Sequence, residues 1–294
     1  PILRQLAIAM TPEGVIGSGE KLLFTNAADL SNFALFTAHT VMLVGRNTAQ
    51  QMVDLGVSFT RTRPVVVITD SGVLKNVGMS DEKYVFYAKT MIQALKLAEE
   101  VSFQFQLNGY TVCGGHRVYE EFLGMLDKGK TVVNRAYMFT AEIDDTVILD
   151  PVQLSSTAEQ IRLTITNRQV SPVSGVSTAD VGLYVEEETG DPAAGEKVES
   201  RPKLIRGKNC RFEWLTDSED YDLHAAVINN NQRLKLKLAT GVAALRIPEI
   251  SHWVERAGVN SVDIYMKNGQ MIDARPSTTA GLNWLKLILN KVIV

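Results

Sequence analysis

Two consecutive glycines are the first chemically suggestive feature of this 294-residue chain. Gly114 and Gly115 end the apolar run Thr111-Val112-Cys113 and lead into His116-Arg117-Val118-Tyr119-Glu120-Glu121-Phe122-Leu123, an amphipathic pattern. Paired glycines let a backbone approach a ligand closely, and a helix start behind them offers unpaired N–H groups and a positive dipole end to a phosphate. Val44-Gly45-Arg46-Asn47-Thr48 repeats the arrangement, with Arg46 and Thr48 at the helix start. Either junction alone is also what a tight turn or an ordinary N-cap at Asn47 or Thr48 looks like. The two together point to an extended dinucleotide. The third feature is an acid: Asp29 and Phe33 lie four residues apart in a helical pattern that follows Leu22-Leu23-Phe24, so they share a face. An acid there either complements the first helical turn or hydrogen-bonds a planar, amidine-like heterocycle whose ring Phe33 lines.

These residues need a scaffold, and the pattern of the first half supplies one. Apolar runs at 3–10, 41–44, 65–69, 84–87, 110–113 and 136–142 alternate with helical patterns at 27–38, 48–55, 90–101 and 117–126. That alternation predicts βαβ units on a largely parallel sheet, an α/β fold. Such sheets bind ligands beyond the carboxyl ends of their strands, which is where both glycine junctions fall.

After Pro151 the texture changes. Residues 152–207 are rich in Ser, Thr, Gly, Glu and Pro, with an acidic loop at 186–196, and read as an insertion. Within it 161–166 and 181–185 are expected as strands, and 211–215 as another. From 217 onward the pattern predicts strands at 223–228, 233–238 and 261–266, a helix near 248–257, a turn at Asn268-Gly269, and a final helix from Thr278 carrying Leu282, Leu285 and Leu289. The division expected is therefore 1–216 with an enlarged insertion at about 152–207, then a small α+β domain over 217–294.

Composition narrows the function classes. Hydrophobic residues at 45% supply a core, and 30 Lys+Arg against 33 Asp+Glu give a net charge of -3, which excludes a protein held to nucleic acid by its overall field. Cys113 and Cys210, the two cysteines, lack metal-ligand spacing, so neither a metal site nor a disulfide framework is expected, and a reducing cytoplasm fits. No run reaches the length of a membrane span, and the start at Pro1 is read as a chain that has lost its initiator Met.

The segments Ile8-Ala9 through Val15-Ile16-Gly17, the helix with Asp29 and Phe33, Val44 to Thr48, Arg63-Pro64-Val65-Val66-Val67-Ile68-Thr69, Gly114-Gly115 with Arg117 to Glu120, and Tyr137 to Thr140 come in an order that closely resembles the dihydrofolate reductase family. The resemblance covers about 1–150 and resumes at Asn209 to Leu215. It implies a mixed, mainly parallel sheet flanked by helices, and NADPH-dependent reduction of dihydrofolate to tetrahydrofolate, a step of one-carbon metabolism and nucleotide biosynthesis. It implies Asp29 as the pterin-binding acid buttressed by Thr140, and Leu30, Phe33 and Met52 lining the substrate. Arg63 would grip the substrate's carboxylate, with Arg61 as its competitor. Ala9 and Ile16 would border the nicotinamide. Arg46, Thr48, Gly114, Gly115, Arg117, Val118 and Tyr119 would bind the rest of the cofactor.

Some positions depart from the family pattern. Leu23-Phe24 replaces its Pro-Trp pair, and His116 its third glycine. Asp70 sits where a free 2′-hydroxyl would suit better than a 2′-phosphate, whereas Arg46 and Arg117 favour the phosphate; NADPH is expected, with NADH the alternative. A different class of function is a reductase-derived module of a phage assembly, binding a protein partner or a second copy through 217–294, in the host cytoplasm. A third is a reductase of a ribosylated aminopyrimidine, against which Asp29 with Phe33 favours a pterin.

Overall fold

The computed structural model describes residues 2–144, 148, 150–166, 173–176, 181–189, 192–195, 199–216, 226–228, 233–238, 241–259, 261–276, 282–283, 285–286 and 289–290. The first part of the chain forms β1 (Leu3–Met10), β2 (Val15–Ser18), β3 (Lys21–Leu22), β4 (Phe24–Thr25), α1 (Ala27–Phe36), β5 (Thr40–Gly45), α2 (Arg46–Asp54), β6 (Val65–Ile68), β7 (Val85–Ala88), α3 (Met91–Phe105), β8 (Gly109–Gly114), α4 (His116–Asp127) and β9 (Arg135–Ile143). There follow β10 (Pro151–Gln153), α5 (Ala158–Thr166), β11 (Val173–Val176), β12 (Val181–Thr189) and β13 (Glu199–Thr216). The last part contributes β14 (Ala226–Ile228), β15 (Arg233–Leu238), β16 (Gly241–Arg246), β17 (Ile250–Glu255), β18 (Val262–Met266) and β19 (Met271–Ala274).

The main sheet runs in the order β4-β12-β13-β9-β1-β8-β5-β6-β7, with β11 also on β13. From β9 to β7 every pairing is parallel, and β13, β12 and β4 extend the sheet in antiparallel fashion. The parallel strands are nearly continuous apolar runs because both faces are covered: Val65, Val66 and Val67 of β6 are all fully buried. Side chains alternate across the sheet. Leu6, Ile8, Met10, Val41, Leu43, Val112 and Met138 meet buried residues of α3, α4 and α5 on one face. Ala7, Tyr137, Phe139, Phe212 and Trp214 meet Leu35 and Phe36 of α1 on the other, and Met42, Val44 and Val67 there meet Ala49 of α2.

The α1/α2 face is shared with the C-terminal part. Leu245, Ile250, Val262, Ile264 and Met266 belong to the same apolar cluster as Phe36 and Trp214, and so do Leu282, Leu285 and Leu289 of the terminal helical residues. β14 lies against α1. Strand β18 and the turn at Gly269, where the Gly269 N–H donates to the Met266 carbonyl at 2.9 Å, follow the expected pattern, and β17 and β19 flank β18 on either side.

Several expectations are corrected. Residues 161–166 are the end of helix α5, not a strand: Ala158, Ile161 and Ile165 are buried at helical spacing, and Arg162 from the same helix holds the buried Glu213 of β13 through two hydrogen bonds of 3.0 and 2.8 Å. Residues 248–257 are a short 3₁₀ turn followed by β17, not a helix. The pairing of β17 with β18 slips by one between Ile250 and His252, so Ile250 and Trp253 both reach the core three residues apart, a spacing that mimics a helix. Of the strand expected at 223–228 only 226–228 lies within the described residues, and the proposed cap at Thr278 falls outside them. Strands β2, β3, β4 and β10 were not expected. β10 pairs with β2, and β12 of the insertion pairs with β4. The insertion region therefore fastens both ends of the loop that leads into α1.

Candidate active site

Helix α1 begins at Asn26, whose side chain accepts from the Asp29 N–H at 2.9 Å. Asp29 is thus held in the first turn, and its carboxyl is turned toward β9. There the Tyr137 hydroxyl donates to Asp29 Oδ1 at 2.6 Å. Burial raises the Asp29 pKa from 3.8 to about 6, against the Tyr137 hydrogen bond, which lowers it. Oδ2 has no hydrogen-bond partner among the described residues. The result is an acid whose pKa burial raises to about 6, with Oδ1 engaged by Tyr137 and Oδ2 unpaired among the described residues.

Thr140, expected to buttress Asp29, does not. It pairs with Met10 in the β1–β9 register, three residues from Tyr137, and therefore points to the opposite face, where its buried Oγ1 has no partner among the described residues. Tyr137 takes its place, on the face shared by Ala7 and Phe139. Sequence reasoning missed this residue, although the two-residue alternation along β9 pointed to it.

The other expected substrate residues surround α1. Phe33 is partly buried one turn beyond Asp29 and packs on the same apolar cluster as Met52 of α2. Arg63 Nη2 donates to the Ala34 carbonyl of α1 at 3.0 Å, and burial lowers its pKa, while Arg61 is exposed. Of the two arginines, Arg63 is the one that reaches α1. Leu30 is 56% exposed, at the rim. Ala9 packs on the α1 side of β1, and Ile16, in β2, on the α4 side.

The two glycine junctions lie side by side. β5 and β8 are parallel neighbours with Val44 opposite Gly114, which sets the starts of α2 and α4 next to each other. Their N-caps are Gly45 and Gly115, neither with a side-chain capping bond, and neither helix has an acid in its first turn. The contrast with α1 and α3, capped by Asn26 and Thr90, is plain. Both helix starts keep their N–H donors for an external anion. Arg46 and Arg117 are exposed beside them, and Thr48 is partly buried. The Gly114–Gly115 peptide bond is cis, and Gly114 has φ +105°; a Cβ there would lie 2.7 Å from the Tyr119 ring.

Tyr119 and Val118 are placed differently from the expectation. Tyr119 is buried, its hydroxyl donates to the Ala7 carbonyl at 2.6 Å, and its N–H closes the first turn of α4 on Gly115. It holds Gly114 and β1 in place and has no polar group left for a cofactor. The buried Val118 side chain packs against Gly45, leaving its backbone N–H as the available group. Burial raises the pKa of the Tyr119 phenol well above its usual value. His116 turns away from the cradle: its Nε2 is 3.0 Å from the Gln153 carbonyl of β10. Among the described residues no group of three or more His, Cys, Asp or Glu could hold a metal ion, and no helix is long and apolar enough to cross a membrane.

A family model described as dihydrofolate reductase matches residues 5–145. Over those residues, just under half of its length, the chain is similar to the dihydrofolate reductase family. No curated protein matches the chain. Among solved structures, it is similar to a dihydrofolate reductase from Enterococcus faecalis complexed with NADP(H) and RAB-propyl, at 18% identity and a TM-score of 0.38, over 73% of this chain and 95% of that one. The dihydrofolate reductase match ends at the carboxyl end of β9, so the fastening segments β10 and β12 and the C-terminal sheets lie beyond it.

Proposed function

We propose that this chain reduces dihydrofolate to tetrahydrofolate with NADPH. The observation that carries the reading is Asp29, a partly buried acid whose Oδ1 accepts from Tyr137 and whose pKa burial raises, on the same sheet as two helix starts without side-chain caps. A lone acid of this kind can hold the amino-pyrimidine edge of a pterin and favour protonation at N5, while uncapped N–H groups suit a diphosphate.

The bound nicotinamide would supply a hydride to C6 of the pterin. The protein's own residues do the rest. Asp29 binds the pterin through Oδ2, and the carboxyl's titration near pH 6 keeps a proton within reach of N5. Phe33 and Met52 line the ring and its aryl extension, Leu30 closes the rim, and Arg63, fixed on the Ala34 carbonyl, meets the terminal carboxylate. Gly114, Gly115 and the N–H groups at the start of α4 hold the diphosphate, with Thr48, Arg46 and Arg117 beside them, and Ala9 and Ile16 border the nicotinamide. Arg46 reaches the turn after β6, where its Nη1 is 3.2 Å from the place a Cβ on Gly72 would take. That favours a 2′-phosphate and hence NADPH; Asp70 in the same turn favours NADH. We assign the reaction to the cytoplasm.

The test is direct. Purified protein is mixed with NADPH and dihydrofolate, and the nicotinamide absorbance is followed. Its loss, with formation of tetrahydrofolate, is expected, and an unchanged absorbance at high protein concentration would contradict the assignment.

A further inference from the structure

We propose that Tyr137 is a positioning residue for Asp29: its phenol fixes which carboxyl oxygen faces the ligand and favours the ionised acid, and so sets the pH range of the reaction. The inference rests on the reductase reading above.

The hydrogen bond is short, 2.6 Å, and Tyr137 is 1% exposed, so water does not compete for it. The ring cannot drift. It lies 6.0 Å from Phe36, on the same helix as Asp29, and 5.6 Å from Trp214 of β13, and those two rings meet edge to face at 5.2 Å. The phenol is therefore braced from α1 and from β13 while it reaches Asp29 from β9. With Oδ1 engaged, the carboxyl plane is set and Oδ2 is the oxygen presented to a ligand. Burial holds the phenol's own pKa well above its usual value, so it remains a proton donor whatever the state of Asp29.

Among the described residues few other groups can set the acid's titration. β9 offers Tyr137 and α4 offers Tyr119, which is itself engaged by the Ala7 carbonyl. β14, packed on α1, consists of Ala226, Val227 and Ile228, with nothing to titrate. Arg63 is bound to the Ala34 carbonyl, more than one turn further along α1. Removing the Tyr137 hydroxyl thus removes the one hydrogen bond that opposes burial.

The experiment is a titration of Asp29 by NMR in protein carrying 13Cγ-labelled aspartate, the signal identified by its loss in Asp29→Asn. In Tyr137→Phe the midpoint should rise by about one pH unit, the scale expected for a hydrogen bond to a charged group. The alkaline limb of kcat/KM for dihydrofolate should move by the same amount. A midpoint within about half a unit of the wild type overturns the proposal. If Tyr137→Phe does not fold, 3-fluorotyrosine placed at 137, a stronger donor, must lower the midpoint, and a fixed or raised midpoint overturns it. The titration needs no substrate, so a protein that never oxidises NADPH would sink the reductase reading alone.

Discussion

Thr48, in the first turn of α2, closes on Gly115 at the head of α4 so tightly that a Cβ on that glycine would lie 2.9 Å from the Thr48 Oγ1. The two helix starts are in contact across one atom's width, and any side chain at 114 or 115 has to displace a neighbour. Gly115→Ala meets only the tip of a threonine, so its cost falls on the cradle: NADPH affinity should drop about 10-fold or more, with a small change in Tm. Gly114→Ala meets the Tyr119 ring at 2.7 Å with φ +105°, and should lose several degrees of Tm as well. Fluorescence titration and thermal melts of the two variants check both statements.

Arg63, just ahead of β6, reaches the carbonyl of Ala34 in α1. Its Nη2 bond to the Ala34 carbonyl orients the guanidinium without neutralising it. Arg63→Ala should raise KM for dihydrofolate about 10-fold or more and leave kcat within a few-fold, because a bidentate grip on a carboxylate is lost in ground and transition states alike. Steady-state kinetics with dihydrofolate decide it, and an unchanged KM removes Arg63 from the substrate site.

Asp29 also links stability to pH. Its folded pKa of about 6 exceeds the ordinary 3.8, so the folded protein binds this proton more tightly than the unfolded chain does. The stabilisation is fully present below about pH 4 and is lost as pH rises through about 6, a loss of about 3 kcal/mol in all. Asp29→Asn carries no such charge. Urea unfolding of both proteins across this range should show the variant gaining on the wild type as pH rises, and parallel curves would contradict the burial of the acid.

The reductase-like half does not end its core at residue 216. Deleting 217–294 strips Val262, Ile264, Leu285 and Leu289 from the cluster that holds Phe36 and Trp214, and uncovers apolar surface around the helix that carries Asp29. The shortened chain should aggregate or bind a hydrophobic dye strongly. A soluble protein with a sharp melting transition would show instead that the tail is an independent module, as the sequence pattern suggested.

Much of this could be read from the residues because parallel strands buried on both faces, such as Val65-Val66-Val67-Ile68, admit few other interpretations. The junctions at Gly45 and Gly115 were visible for the same reason: a glycine between an apolar run and a helix is a local signal. Pairing across the chain left no local signal. β10 on β2 and β12 on β4 are backbone partnerships more than 100 residues apart, with no side-chain pattern to announce them. The slip in β17 placed Ile250 and Trp253 at a helical interval inside a strand. Family likeness drew attention to Thr140, where the parity of β9 puts Tyr137 on the Asp29 side.

The most direct measurement compares wild type and Asp29→Asn in NADPH-dependent reduction of dihydrofolate across pH 5 to 8. The wild type should turn over, with kcat/KM falling as pH rises through about 6, the pKa to which burial raises Asp29. The variant should be slower by about 100-fold or more at neutral pH, the usual weight of a general acid, with NADPH affinity unchanged. Equal rates for the two proteins at every pH, or a wild-type profile flat across the range, would contradict the account.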